Sequence, residues 1–153
     1  MKEFKIKYHH NKAKEILETI KARFKGKTQL EDFYLKSDQK NIWKISKENG
    51  KMYLVNLIKR KNGFDINISK RLDKEATSDL MRYFENNSLV MKKIREHYFW
   101  KEAEIVLDNI IGLGEFIELY PQNELSKKGL FNIFCIKPSD LITKSYYDIW
   151  KRK

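Results

Sequence analysis

Strict alternation opens the chain. From Lys2 to Tyr8, Glu3, Lys5 and Lys7 fall on one face and Phe4, Ile6 and Tyr8 on the other. That period of two predicts a strand with one charged and one apolar side. Next, Ala13, Ile16, Leu17, Ile20 and Phe24 recur at three- and four-residue spacing, which predicts an amphipathic helix over 11–24 with Gly26 as its stop. Residues 29–69 read as four strands, punctuated by Asn49-Gly50 and Asn62-Gly63. Asn-Gly between hydrophobic runs favours the type I′ hairpin turn. Segment 42–47 is therefore expected to pair antiparallel with 52–59, and 52–59 with 64–69. Asp73 is the expected N-cap of a helix over 74–86 carrying Leu80, Met81 and Phe84. Strands over 89–100, 102–109 and 115–120 follow, then helices over 122–132 and, after Pro138 and Ser139, over 140–151. Mostly hairpin connections in this order imply an α+β domain built on one antiparallel sheet large enough to curl or close.

Composition narrows this picture without changing it. The 153 residues fit one domain over 1–153, and 41% apolar residues suffice for a core. No apolar run approaches the ~18 residues of a membrane span, and the start has no signal-peptide core. The expectation is a cytoplasmic protein with no membrane partner. The single Cys135 excludes an intramolecular disulfide and a Cys-based zinc cluster. Lys and Arg number 32 against 21 Asp and Glu, a formal charge of +11. That surplus fits an anionic ligand, and it equally fits a lysine-rich composition with no ligand.

The polar strand faces carry cations. Lys5 and Lys7 oppose Phe4 and Ile6, and Lys93 and Arg95 oppose Ile94. If helices cover the apolar outer face of a closed sheet, these cations converge inside it, at a cost of several kcal/mol unless anions accompany them. A closed sheet thus predicts a polyanion in its lumen; an open sheet leaves the same face in water. Glu3, Asp65, Glu104, Asp108 and Glu118 lie on separate strands. Facing one lumen, such carboxylates can hold Mg²⁺ or Mn²⁺ against phosphate oxygens, although acidic residues are also common on solvated strand faces. His97 shares the face of Lys93 and Arg95, where it can act as a general acid or base. Trp43, Trp100 and Trp150 are expected in the core or in helix packing. Gly112 and Gly114 are turn glycines, since no Gly-Lys-Ser/Thr follows.

Four stretches carry a family resemblance. Val106-Leu-Asp-Asn-Ile-Ile-Gly-Leu-Gly-Glu-Phe-Ile-Glu-Leu119 resembles the late motif of the CYTH superfamily, the triphosphate tunnel enzymes, which include class IV adenylate cyclases, thiamine triphosphatases and inorganic triphosphatases. Gln29-Leu-Glu-Asp32-Phe-Tyr34 is similar to the family's Q-x-x-D-x-Y-F strand, Met91-Lys-Lys93-Ile-Arg95 to its V-x-K-x-R strand, and Ser145-Tyr146-Tyr-Asp-Ile to its closing S-Y-x-x-L. The match spans nearly the whole chain. It implies an eight-stranded antiparallel barrel, closed or nearly closed, with flanking helices and a lumen that binds triphosphate through Lys and Arg. By position, Lys7, Lys44, Lys59, Lys93 and Arg95 would hold phosphate oxygens. Lys93, Arg95 and Asp108 would be catalytic, and Glu3, Asp108 and Glu118 would bind Mg²⁺ or Mn²⁺.

The departures from the family pattern are specific. Lys5 stands where the first motif has its second glutamate, the mid-chain pair is Asp65-Ile-Asn67, and the late pair is Glu118-Leu-Tyr120. Half of the paired carboxylates are gone while the cations are largely kept. The resemblance implies divalent-metal-assisted phosphoryl or nucleotidyl transfer, either triphosphate hydrolysis or cyclisation of ATP. The substitutions suggest a second reading, a metal-poor variant that binds or cleaves a nucleotide-derived signal without metal catalysis. Expected partners are a triphosphate or nucleotide ligand, with nucleic acid only as a 5′-triphosphate end. The expected assembly is a monomer or homodimer.

Overall fold

The first strand decides how the sheet closes. In the computed structural model, which describes residues 2–83 and 89–151, β1 (Lys2–Lys7) pairs antiparallel with two strands far apart in sequence. Phe4 to Lys7 lie against Leu119 to Phe116 of β8, and Lys2 and Glu3 against Asp65 and Phe64 of β5. The strands are β1, β2 (Arg23–Ser37), β3 (Asn41–Glu48), β4 (Lys51–Lys59), β5 (Phe64–Leu72), β6 (Leu89–Trp100), β7 (Ala103–Ile110) and β8 (Gly114–Tyr120). Their order is β5-β4-β3-β2-β6-β7-β8-β1, and the β1–β5 contact closes the ring. Closure joins the two edge strands over Lys2–Glu3 and Phe64–Asp65 and encloses one face of the sheet. The closed eight-stranded antiparallel barrel expected from the sequence is the fold observed. Where β1 and β5 diverge, a two-residue strand, β9 (Leu141–Ile142), takes over the β1 edge opposite Lys5 and Ile6.

The outer core covers one side of the barrel. α1 (His10–Thr19) and α3 (Glu124–Ile133) lay Ala13, Leu17 and Leu130 over Phe4 and Ile6 of β1, Ile105 and Leu107 of β7, and Ile117 and Leu119 of β8. Alternation along these strands therefore sends Glu3, Lys5, Asp108 and Glu118 inward. A second cluster lies inside the barrel at one end: Tyr34, Ile42, Leu57, Phe64, Met91, Ile110, Phe116 and Tyr146. Tyr146 starts α4 (Tyr146–Lys151), so the C-terminal segment plugs that end. Ser37 donates to Asp148 and Lys59 Nζ contacts Asp148, at 3.0 and 2.9 Å, which ties the plug to β2 and β4.

Several local expectations hold. Asn49 and Gly50 have φ of 51° and 75°, both positive as a type I′ turn requires. Asp73 caps α2 (Lys74–Tyr83), accepting from Ala76 N at 2.7 Å; the predicted end of this helix at 84–86 lies outside the described residues.

Three expectations are corrected. The first helix ends at Thr19, because Lys21 takes the left-handed φ of 58° and the amides of Lys21 and Ala22 bond back to Glu18 and Leu17 in a Schellman arrangement. Phe24 thus belongs to β2, and Gly26, with φ 145°, sits in a bulge against β6. Residues 60–63 form a longer loop closed by Arg60 N to Gly63 O, and no two-residue I′ turn forms at Asn62-Gly63. Gly63 is needed there for another reason: a Cβ would stand 2.6 Å from the Glu3 carbonyl oxygen. Finally, the expected helix over 140–151 divides into a 3₁₀ turn (Pro138–Asp140), β9 and α4.

Candidate functional site

Eight charged side chains meet in the lumen above the apolar plug. β6 supplies Lys93 and Arg95, β3 Lys44, β1 Glu3 and Lys5, β2 Asp32, β7 Asp108 and β8 Glu118. All are buried except Arg95, whose side chain is 16% exposed toward the cavity. The register explains the partners. Arg95 lies directly opposite Asp108 and grips it at two points, Nε to Oδ1 and Nη2 to Oδ2, both 2.7 Å. Nη2 also donates to Glu118 Oε1 at 2.8 Å. Asp32 stands between two lysines, with Lys44 Nζ at 2.9 Å and Lys93 Nζ at 2.6 Å, and accepts from Ser46 Oγ at 2.6 Å. Lys5 Nζ lies 3.3 Å from Glu3 and 3.9 Å from Glu118.

Four cations thus face four carboxyls. The cations expected to converge in a closed sheet do so, and each has a carboxylate of the same chain beside it. Removing these equal numbers leaves the entire +11 surplus on the rest of the molecule. Pairing is what makes the burial tolerable, since a lone charge in such a place costs several kcal/mol.

The environments differ around the ring. Burial pushes the Asp32 carboxyl up, but Lys44 and Lys93 outweigh it and hold the group well below the usual carboxylate range. Glu118 behaves alike, as Arg95, Lys5 and Lys93 overcome its burial and lower it. Glu3 goes the other way: burial and the adjacent Glu118 charge raise it to about 7 against the pull of Lys5. Burial works against the charged Arg95, yet Asp108 and Glu118 keep it fully protonated. Among the described residues, Tyr34 OH is a buried polar atom without a hydrogen-bond partner, and Lys93 Nζ meets Asp32 as an ion pair at 2.6 Å.

A cavity of about 260 Å³ opens above these groups, lined among others by Glu3, Lys44, Ser46, Arg95, Glu118 and Tyr120. Its volume lies just under the ~300–1,000 Å³ usual for small-molecule sites. A phosphate chain suits that space, with any bulkier organic group left at the mouth. Arg71, at the mouth end of β5, and Lys51 and Lys74 line a broader cleft on the rim.

The remaining residues singled out in the sequence lie elsewhere. Lys7 is exposed at the plugged end of β1. Lys59 donates to Asp148 of the α4 plug and to the carbonyl of Asp38 in the β2–β3 connection. Asp65 faces outward and pairs with Arg60 at 2.6 Å, and Asn67 bonds to Asn56 at 2.9 Å. His97 and Glu104 pair at 3.0 Å near the mouth. Sequence reasoning gave no role to Asp32, Ser46, Tyr120 or Tyr146. Asp32 carried a legible signal, a carboxylate flanked at two-residue spacing by Leu30 and Tyr34 on one strand face.

The donor set does not suit a divalent ion. Both Asp108 oxygens are engaged by Arg95, Glu118 Oε1 accepts from Arg95 and Tyr120, and the Lys5 ammonium stands beside Glu3 and Glu118. Among the described residues no group of three or more His, Cys, Asp or Glu is arranged to hold a metal. Nor is any helix among them long and apolar enough to cross a membrane.

No protein-family model and no curated protein matches the chain. Solved structures do. The PH1012 protein from Pyrococcus horikoshii OT3 is 22% identical, with a TM-score of 0.78 over 97% of this chain and 98% of that one. A candidate adenylate cyclase from Bacillus halodurans is 13% identical, with a TM-score of 0.68 over 97% and 95%. HpAC1 from Hippeastrum, a candidate adenylyl cyclase with a dominant triphosphatase activity, is 12% identical, with a TM-score of 0.67 over 99% and 96%. These likenesses show a shared fold, the closed antiparallel barrel with flanking helices. Within that fold, this chain has one end of the barrel plugged by Tyr146 and a wall whose charges are balanced.

Proposed function

We propose that this CYTH-fold barrel binds the phosphate chain of a nucleotide or other organic triphosphate through its open end, and that its chemistry is phosphoryl or nucleotidyl transfer without a resident divalent ion. The observation that carries the reading is Arg95, which lines the cavity and is oriented by Asp108 and Glu118. A guanidinium has five N–H donors. Three serve carboxylates here, and the Nη1 pair is used by none of the hydrogen bonds described above. Lys44 lines the same cavity and provides a second cation. As phosphate oxygens approach, Arg95 and Lys44 can transfer part of their charge-assisted bonding from carboxylates to the ligand. They would then neutralise charge that develops during cleavage. The basic rim of Lys51, Arg71 and Lys74 draws polyanions to the mouth.

The metal-assisted reading is less well supported, because the carboxylates assigned to it already serve Lys5, Arg95 and Tyr120. ATP, GTP, thiamine triphosphate and tripolyphosphate, each incubated with Mg²⁺, Mn²⁺ or EDTA and resolved by ion exchange, test the proposal. Product formed in EDTA is the expected result, and binding with no product under any condition refutes the chemistry while leaving phosphate recognition in place. Absence of binding to all four refutes phosphate recognition, and product only with metal refutes the metal-free chemistry.

A further inference from the structure

The ammonium of Lys5 sits in a complete cation site made by its own barrel. On one side are the carboxyls of Glu3 and Glu118, at 3.3 and 3.9 Å. On the other are two aromatic faces, with the Tyr146 ring centroid at 4.2 Å and that of Phe64 at 4.7 Å. Lys5 is 1% exposed, so bulk solvent does not reach the position. Such surroundings suit a monovalent organic cation: carboxylates supply charge, and ring faces attract it without offering oxygen ligands. Mg²⁺ and Mn²⁺ need several oxygen donors at close range, which aromatic faces cannot provide.

We propose that Lys5 is a built-in replacement for a divalent ion: its ammonium occupies the Glu3–Glu118 carboxyl pair, supplies the positive charge there, and excludes metal from the lumen. The physical consequence is a covalently attached, singly charged cation that cannot dissociate under chelation. Lys5 holds Glu3 and Glu118 in place beside the cavity and so acts as a positioning residue for Arg95, whose Nη2 shares Glu118 Oε1 with Tyr120. The inference rests on the proposed phosphate binding only for its ligand arm.

The decisive probe is Mn²⁺ alone, followed by electron paramagnetic resonance on the full chain. Wild type is expected to bind no stoichiometric Mn²⁺. Lys5→Glu frees the site and adds a ligand, so it is expected to take up about one Mn²⁺, with affinity at least tenfold above wild type and lost again in Lys5→Glu/Glu118→Gln. Lys5→Gln, which removes the ammonium at nearly constant volume, is expected to gain thermal stability from Mn²⁺ where wild type gains none. Tripolyphosphate affinity of wild type, measured by calorimetry, should agree within about twofold between EDTA and Mg²⁺. The proposal is overturned by a stoichiometric wild-type Mn²⁺ site that Glu118→Gln abolishes, by folded Lys5 variants that gain no Mn²⁺, or by wild-type affinity that falls about tenfold or more in EDTA. If tripolyphosphate binds under no condition, phosphate recognition fails by itself, and the Mn²⁺ measurements still decide the role of Lys5. Should both Lys5 variants fail to fold, Mn²⁺ uptake by wild type and Glu118→Gln decides it.

Discussion

Arg95 and Asp108 face each other across β6 and β7 and meet at two points, each 2.7 Å, with Asp108 fully buried. The pair fixes the guanidinium plane, and that plane sets which N–H groups look into the cavity. Removing one partner of such a pair leaves an uncompensated buried charge, which costs about 3–5 kcal/mol. Asp108→Ala should therefore lower stability by about that amount in urea unfolding. Arg95→Lys keeps the charge but loses the fork. It should retain more stability than Asp108→Ala and still weaken tripolyphosphate binding in calorimetry.

Asp32 serves Lys44 and Lys93 together, so its replacement separates stability from ligand affinity. Asp32→Asn leaves two buried ammoniums less compensated and should lower the melting temperature of the free protein. The same change raises the positive potential of the lumen. Tripolyphosphate should then produce a larger upward shift in melting temperature than it does in wild type. An equal or smaller shift would argue against phosphate contact with this pair of lysines.

The two ends of the carboxyl range predict opposite pH slopes. Asp32 is depressed in the folded state, so its contribution is present above the unfolded value near 4 and is lost as pH falls through the folded value. Glu3 is raised to about 7. Its contribution is complete below its unfolded value and is lost as pH rises toward 7. Urea unfolding from about pH 2 to 8 should show the stability of wild type falling on the acid side as well as across this upper window. Glu3→Gln should flatten that part of the profile while leaving the acid limb in place.

Gly63 lets β1 reach β5. A methyl group at this position meets the Glu3 carbonyl oxygen at 2.6 Å and a Phe4 ring carbon at 3.0 Å. Gly63→Ala should cost about 1–3 kcal/mol, as overpacking does. Because the displaced strand carries Glu3 and Lys5, hydrogen exchange should accelerate first along β1 and its partner amides in β8.

Tyr146 closes the lumen from below and places its ring under both Lys5 and Lys93, at 4.2 and 4.6 Å. Tyr146→Ala should destabilise by about 3–5 kcal/mol through the cavity it leaves. Tyr146→Phe keeps the ring and loses only a long 3.4 Å hydrogen bond to Glu118, so its cost should stay near 1 kcal/mol or below. Similar losses for the two variants in denaturant titrations would mean that the hydroxyl, and not the ring, holds the plug.

Much of the barrel was legible in the chain because strand period and turn chemistry are local. Alternation through Phe4 and Ile6 marked the outer face of β1, Asn49-Gly50 marked a hairpin, and Asp73 marked a helix start. Phe24 misled because its spacing continues the pattern of α1. The helix actually stops on Lys21, a residue type with no special preference for left-handed backbone. Leu141 and Ile142 read as helix because the free edge of β1 that they fill belongs to a distant part of the chain. The motifs likewise placed Lys93, Arg95, Asp108 and Glu118 on strand faces, and the barrel brings them to one lumen with Lys44 and Glu3. Strand parity and position along the strand separate Asp65, Lys7 and Lys59 from them.

By itself, then, the sequence determined the alternating faces, most of the element order and the residue types that carry charge, since these depend on neighbours a few positions away. Only the tertiary structure decided which charges meet. Closure through the short β1–β5 contact sets the radial position of every inward side chain, bringing Asp32 between lysines of β3 and β6 and the Lys5 ammonium between Glu3 and the rings of Phe64 and Tyr146. Electrostatic partnership falls off over a few ångströms, whereas these residues are up to 141 positions apart in the chain, from Lys5 to Tyr146. The lumen therefore holds cations and carboxyls in equal number, and a position that resembled a lost carboxylate holds a cation of the protein's own.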